Sequence, residues 1–125
     1  MKNILLVEDD PFLIDMYTTK LKEAGFHVES ATDGEKGLKK LSEKSFDLLL
    51  LDIVLPQVDG WEVLEKIKSL RSSTKHLESL IIIILSNLGQ KEEVEKGIKM
   101  GADKYLIKAH YTPSEVVTEV EKLLK

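Results

Sequence analysis

The patterning of this chain predicts an α/β fold built on a doubly wound parallel sheet, and three observations carry that reading. Four short apolar runs, one broken by an aspartate, and a fifth, weaker one alternate with segments of helical apolar spacing. The helical segments open on capping residues and two of them stop at glycine. Runs of four to six apolar residues suit strands buried on both faces, as in a parallel sheet covered by helices. Right-handed crossovers leave few topologies for five such units. The most natural is the flavodoxin-like order 2-1-3-4-5, with five strands, five helices and one domain over residues 1–125.

The first strand is Ile4–Val7, and Asp10-Pro11 then opens a helix whose buried stripe is Phe12, Leu13, Met16, Tyr17 and Leu21. Gly25 ends that helix, and the weaker run His27–Ala31 is the second strand. Thr32 with Glu35 reads as the start of a short helix marked by Gly37, Leu38 and Leu41. The third run, Phe46–Leu51, is broken by Asp47. Asp59 with Glu62 starts the helix of Val63, Leu64, Ile67 and Leu70. Arg71-Ser72-Ser73-Thr74-Lys75-His76 reads as a solvated loop before the fourth strand, Leu80–Leu85. Asn87 with Gln90 is the expected cap of a helix containing Val94 and Ile98, which stops at Gly101. Tyr105–Ile107 is the last strand. Thr112-Pro113-Ser114-Glu115 combines an N-cap, a proline at the first helical position and a capping-box glutamate, ahead of Val116, Val117, Val120, Leu123 and Leu124.

Composition narrows the chemistry. The 125 residues contain no cysteine, which excludes a disulfide scaffold, a thiol nucleophile and Cys-based metal sites. Twenty-two acidic against eighteen basic residues give a net charge of −4, which does not point to a nucleic-acid surface. The longest uninterrupted apolar run is Leu80–Leu85, far short of a bilayer span. Met1-Lys2-Asn3 leads into four apolar residues and three acids, so no secretory signal is read. The expected protein is soluble and cytoplasmic, with no membrane partner.

In an open α/β sheet, ligands bind outside the carboxyl ends of the strands, at the switch point, here between strands one and three. Strand one runs into Glu8-Asp9-Asp10 and strand three into Asp52, on neighbouring strands about 4.8 Å apart. Such clustered carboxylates repel, so a pKa rises or a cation is required. All-oxygen donors favour a hard ion, magnesium first. Strands four and five end in Ser86 and Lys108 at the same edge, adding a hydroxyl and a cation. That set suits phosphoryl transfer to a carboxylate. Neither G-x-x-x-x-G-K-[ST] nor G-x-G-x-x-G occurs, so the phosphoryl group should come from a partner or a small donor.

With Ile4-Leu5-Leu6-Val7-Glu8-Asp9-Asp10, Asp52-Ile53-Val54-Leu55-Pro56, Asp59-Gly60, Leu85-Ser86 and Gly101-Ala102-Asp103-Lys104-Tyr105-Leu106-Ile107-Lys108 in this order, the chain resembles a response-regulator receiver domain of two-component signalling. The likeness is to the stand-alone, chemotaxis-regulator-like kind. The resemblance implies a regulatory phosphoacceptor rather than an enzyme acting on other substrates. Asp52 would accept a phosphoryl group from a histidine kinase or phosphotransfer protein. Mg2+, or Mn2+ in its place, would be held by Asp9, by Asp52, by Glu8 mainly through water, and by the Val54 backbone carbonyl. Ser86 would hydrogen-bond the phosphoryl oxygen and Lys108 would pair with it. Tyr105 would turn inward as Ser86 moves, altering the face formed by the fourth helix, fifth strand and fifth helix. Output would run through an unknown protein target, as a monomer or a weak homodimer on phosphorylation, with no direct nucleic-acid contact.

Two positions depart from the family pattern. Ala109 stands where proline usually follows the lysine, so a trans Lys108–Ala109 bond is expected. Asn87 replaces a small residue after Ser86. Val54 and Leu88 are apolar where some members carry polar groups, which predicts a long-lived phosphoaspartate. Two alternatives stay open: a receiver-like interaction module that is never phosphorylated, and a metal-dependent phosphohydrolase. The second lacks the acid expected two residues after its nucleophile, where Val54 stands. His27, His76 and His110 are scattered, and no metal role is read for them. Trp61 is read as a packing or surface residue that could report on the site by fluorescence.

Overall fold

The three continuous apolar runs become central strands buried on both faces, and two weaker segments become the half-buried edge strands. In the computed structural model, which describes residues 1–124, these are β1 (Asn3–Val7), β2 (His27–Ala31), β3 (Leu48–Leu51), β4 (Ile81–Ser86) and β5 (Lys104–Ile107). All pairings are parallel and the sheet order is β2-β1-β3-β4-β5, as the sequence predicts. The helices are α1 (Pro11–Glu23), α2 (Gly34–Glu43), α3 (Gly60–Leu70), α4 (Lys91–Lys99) and α5 (Pro113–Leu123). Two short pieces join them, a single helical turn at Lys75–Glu78 and a 3-10 turn at Lys108–His110.

Alternation along the strands divides the core into two layers. Leu5, Val7, Leu49, Leu51, Ile82 and Ile84 face Leu41, Val63, Leu64 and Ile67 of α2 and α3. Ile4, Leu6, Leu48, Leu50, Ile83 and Leu85 face Tyr17, Leu21, Val116 and Val120 of α1 and α5. Every residue of β3 is fully buried. That explains why its sequence shows no polar alternation.

Several helix starts form as expected. Asp10 accepts from the Phe12 N–H at 2.9 Å with Pro11 at the first helical position, and capping boxes close at Asp59–Glu62 and Thr112–Glu115. Gly25 and Gly101 sit at helix ends with φ of 96° and 110°, a conformation that glycine adopts without strain. Two other caps differ from expectation. The α2 cap is Asp33, accepting from the Lys36 N–H, rather than Thr32. The α4 cap is Gln90, boxed with Glu93, so Asn87 lies exposed outside the helix. The third strand also begins at Leu48, leaving Phe46 buried ahead of it.

Residues 71–76 are more ordered than a solvated loop. Arg71 donates from Nε to the Leu77 carbonyl at 3.0 Å and from Nη2 to the Leu80 carbonyl at 2.5 Å. It thereby ties the end of α3 to the Lys75–Glu78 turn and to the entry of β4. His76 adds a hydrogen bond between Nε2 and the Leu41 carbonyl at 2.8 Å. Arg71→Ala strips charged donors from two carbonyls and should destabilise the fold by about 1.5–3 kcal/mol in urea titrations. Arg71→Lys should restore less than half of that, because an ammonium lacks the fork that reaches both acceptors. A loss below about 0.5 kcal/mol would show that the tie carries no stability.

Candidate functional site

The acidic cluster is built by strand register. Val7 pairs with Leu51, so the next residues, Glu8 and Asp52, emerge level with one another at the carboxyl edge. Both are still tied into the ladder: the Asp52 N–H donates to the Val7 carbonyl and the Glu8 N–H to the Ala31 carbonyl, each at 3.0 Å. Backbone pairing therefore fixes where these carboxylates leave the sheet. Glu8 is 2% exposed and Asp52 7%, whereas Asp9 faces solvent at the rim.

Each buried carboxylate has one oxygen on the backbone and the other on Lys108. Glu8 Oε2 accepts from the Asp10 N–H at 3.0 Å, and Asp52 Oδ1 accepts from the Ile53 N–H at 2.7 Å. Lys108 Nζ lies 2.5 Å from Glu8 Oε1 and 2.9 Å from Asp52 Oδ2. The lysine arrives from the far side of the sheet, just past the end of β5, and its side chain is largely buried. The Lys108–Ala109 bond is trans, as expected from alanine at that position, and the ammonium reaches the carboxylates from that backbone.

Burial pushes the Glu8 carboxyl above its ordinary value, outweighing the pull of Lys108. For Lys108, burial opposes the charge, but hydrogen bonds to Glu8 and Asp52 more than compensate and push its pKa up. The ammonium therefore stays charged, and Glu8 holds its negative charge at a cost.

The oxygens of Glu8, Asp9 and Asp52 come within 4.8 Å of one another. Opposite ligands of an octahedral Mg2+ site stand about 4.1 Å apart and adjacent ones about 2.9 Å, so the carboxylates would draw together by about an ångström, or reach the ion through a bridging water, to hold it. Carboxylates without nitrogen or sulfur partners match a hard divalent cation. With one ammonium among three carboxylates, the cluster retains an unbalanced negative charge that such an ion would offset.

Ser86 closes the edge from β4 and is fully buried. Its Oγ accepts from the Leu88 N–H at 3.3 Å, and the Tyr105 hydroxyl donates to the Leu88 carbonyl. Leu88 is thus held from both sides by the two residues read as switch elements. Burial and the nearby Glu93 keep the Tyr105 hydroxyl above its ordinary pKa, so it remains a protonated donor. Val54, two residues beyond Asp52, is 62% exposed and presents an apolar side chain at the rim.

Two features of the site were not read from the sequence. One is the Glu8–Lys108 pair: strand ends bring a cation to the carboxylate edge, but which acid it meets 100 positions away leaves no local signal. The other is the approach of Gly60 to the Asp52 loop. Its N–H donates to the Ile53 carbonyl at 2.8 Å, and a Cβ there would stand 2.6 Å from Ile53 Cα and closer still to the Asp52 carbonyl oxygen. The Asp59-Gly60 pair was visible as a helix start. Its contact with the Asp52 backbone left no local signal.

Comparison with known proteins agrees with this geometry. The response regulator receiver domain family matches residues 4–121. The transcriptional regulatory protein CusR of Escherichia coli K12 is 37% identical over 122 residues, covering 98% of this chain and 51% of CusR. The DNA-binding dual master transcriptional regulator RpaA of Synechocystis is 33% identical over 125 residues, covering all of this chain and 50% of RpaA. The chain therefore spans about half the length of these curated relatives. Among solved structures, a CheY-like response regulator receiver domain protein from Methanospirillum hungatei superposes with a TM-score of 0.85 at 32% identity, over 98% of this chain and 94% of that one. The BeF3-activated DrrB receiver domain, whose parent DrrB is from Thermotoga maritima, gives 0.83 at 28% identity, over 99% and 97%.

Proposed function

Because the chain belongs to the response regulator receiver domain family, we propose that it is a phosphorylation-activated switch in which Asp52 is the phosphoacceptor. The phosphoryl group would come from a histidine kinase or phosphotransfer protein, or from a small donor such as acetyl phosphate. The observation that carries this reading is the setting of Asp52: a nearly buried carboxylate at a strand end, level with Glu8 and paired to Lys108.

In the proposed transfer, an Asp52 oxygen attacks phosphorus, the bond from phosphorus to the donor breaks, and the donor leaves with the electron pair. Both oxygens of Asp52 are engaged, Oδ1 by the Ile53 N–H and Oδ2 by Lys108; as Lys108 follows the charge onto the phosphoryl oxygens it releases Oδ2 to form the new bond. An aspartyl phosphate carries about two negative charges where the carboxylate carried one. Asp9, Asp52, the Val54 carbonyl and, through water, Glu8 would hold Mg2+ or Mn2+, which neutralises charge on the phosphoryl oxygens when bound. Ser86 then turns its hydroxyl toward the phosphoryl group and releases the Leu88 N–H. Tyr105 is coupled to that step through the same residue, which directs the change to the α4–β5–α5 face.

Self-directed transfer and later hydrolysis are the only reactions proposed. Among the described residues no helix is long and apolar enough to cross a membrane, in keeping with a cytoplasmic protein. A downstream protein would read the altered face, with the chain a monomer or a weak phosphorylation-dependent dimer. CusR is named a transcriptional regulator and RpaA a DNA-binding one; this chain, with a net charge of −4, would act through a protein target without direct nucleic-acid contact.

Incubation with acetyl phosphate and Mg2+, read by intact mass, should add one phosphoryl group per chain, and a chelator should abolish the addition. No uptake with Mg2+ present would favour an interaction module that is never phosphorylated. The product should be long-lived. Neither exposed Val54 nor Leu88 offers a polar group to orient an attacking water, so a half-life of minutes or more is expected, and one of seconds would contradict it.

A further inference from the structure

α4 is the helix with the fewest ties to the body of the protein. α1, α2, α3 and α5 each bury at least one large side chain, but the only buried residue of α4 is Gly97. At Gly97 the helix backbone comes so close to the sheet that a Cβ would stand 2.6 Å from Ile84 Cδ1 and 2.9 Å from Tyr105 Cδ2. Val94 and Glu93 are half-buried and the rest of the helix, Ile98 included, is exposed. A helix whose only fully buried residue is a glycine draws little stability from its own packing, so a side-chain contact reaching it from elsewhere counts.

One such contact is present. Lys96 Nζ of α4 lies 4.3 Å from the ring centroid of Trp61, within cation–π range. Trp61 is half-buried, packs against the core layer beneath α3, and directly follows Gly60, whose N–H is bound to the Ile53 carbonyl. The contact therefore joins the loop carrying Asp52 to the helix beside Tyr105, by a route separate from Ser86 and Leu88.

We propose that Lys96 and Trp61 form a strap that holds α4 in the arrangement seen here and opposes the rearrangement caused by occupation of Asp52. This regulatory role rests on the phosphoacceptor reading given above. The strap is a single exposed cation–π contact, so its release should change the switching equilibrium by about two- to five-fold.

The test uses the full chain and Lys96→Met, which keeps most of the stem and removes the charge, with Lys96→Arg as the conservative control. Amide hydrogen exchange over residues 91–99, without any phosphodonor, should accelerate about two- to five-fold in Lys96→Met and return toward wild type in Lys96→Arg. Beryllofluoride with Mg2+, followed by calorimetry, should bind Lys96→Met about two- to five-fold more tightly than wild type. Unchanged exchange would overturn the strap, as would faster exchange with unchanged or weaker beryllofluoride binding. Failure of the wild type itself to bind beryllofluoride would instead overturn the phosphoacceptor reading, leaving exchange to report on the strap alone.

Discussion

Lys108→Met is expected to lose about 3–5 kcal/mol of stability at neutral pH. The ammonium is hydrogen-bonded to two carboxylates whose side chains are 2% and 8% exposed, and methionine leaves both buried without a counter-charge. Removing one partner of a buried ionic group exposes the full cost of holding the others out of water. The pH dependence follows from the signs of the shifts. Lys108 is raised above the ordinary 10.5, so its contribution is fully present below that value and fades only as pH climbs through the higher folded value. Glu8 is raised above the ordinary 4.5, so a falling pH protonates it in the folded protein first and relieves the burial of its charge. The variant should therefore recover part of its deficit on acidification toward the ordinary carboxyl range. Millimolar Mg2+ should also stabilise it more than it stabilises wild type, because no ammonium competes for the oxygens. Urea titrations with and without Mg2+ measure both effects. A deficit below about 1 kcal/mol at neutral pH would show that Lys108 is not the counter-charge of this cluster.

Gly60→Ala attacks the same site through the backbone. The added methyl would sit 2.6 Å from Ile53 Cα and nearer to the Asp52 carbonyl, and neither atom is the flexible end of a side chain. Overpacking against backbone should cost about 2–3 kcal/mol, the upper part of the usual range, even after alanine's better helix propensity is counted. Because the residues displaced are Asp52 and its neighbour, phosphoryl uptake from acetyl phosphate should slow as well. Near-wild-type stability together with normal uptake would mean that α3 can start one step away from the Asp52 loop without consequence.

Much of the architecture was legible because it is written in local pattern. Ile4–Val7 and Leu80–Leu85 could be read as strands since both faces of the sheet are covered and no polar residue has to interrupt them. Asp10, Asp59 and Thr112 could be read as caps since their partners stand two or three residues away. Where two capping candidates lay close together, local pattern chose wrongly. Asn87 has the better intrinsic preference, yet α4 starts after Gln90, because Ser86 and Tyr105 hold Leu88 in the preceding loop. The Lys75–Glu78 turn has no apolar period and is held by Arg71 through contacts six and nine positions away.

The site divides in the same way. Glu8, Asp9, Asp52, Ser86 and Lys108 were placed at one edge by strand ends and sheet order, and the structure brings them there. Which atom meets which depends on register and on long side chains, so the Glu8–Lys108 pair and the Gly60 contact became visible only in three dimensions.

Mapping the phosphoryl group to a residue is the decisive experiment. After treatment with acetyl phosphate and Mg2+, the wild-type label should lie on the peptide containing Asp52, and Asp52→Asn, folded by circular dichroism, should take up none. Equal uptake by Asp52→Asn, or a wild-type label on any other residue, would contradict the assignment of Asp52 as the phosphoacceptor.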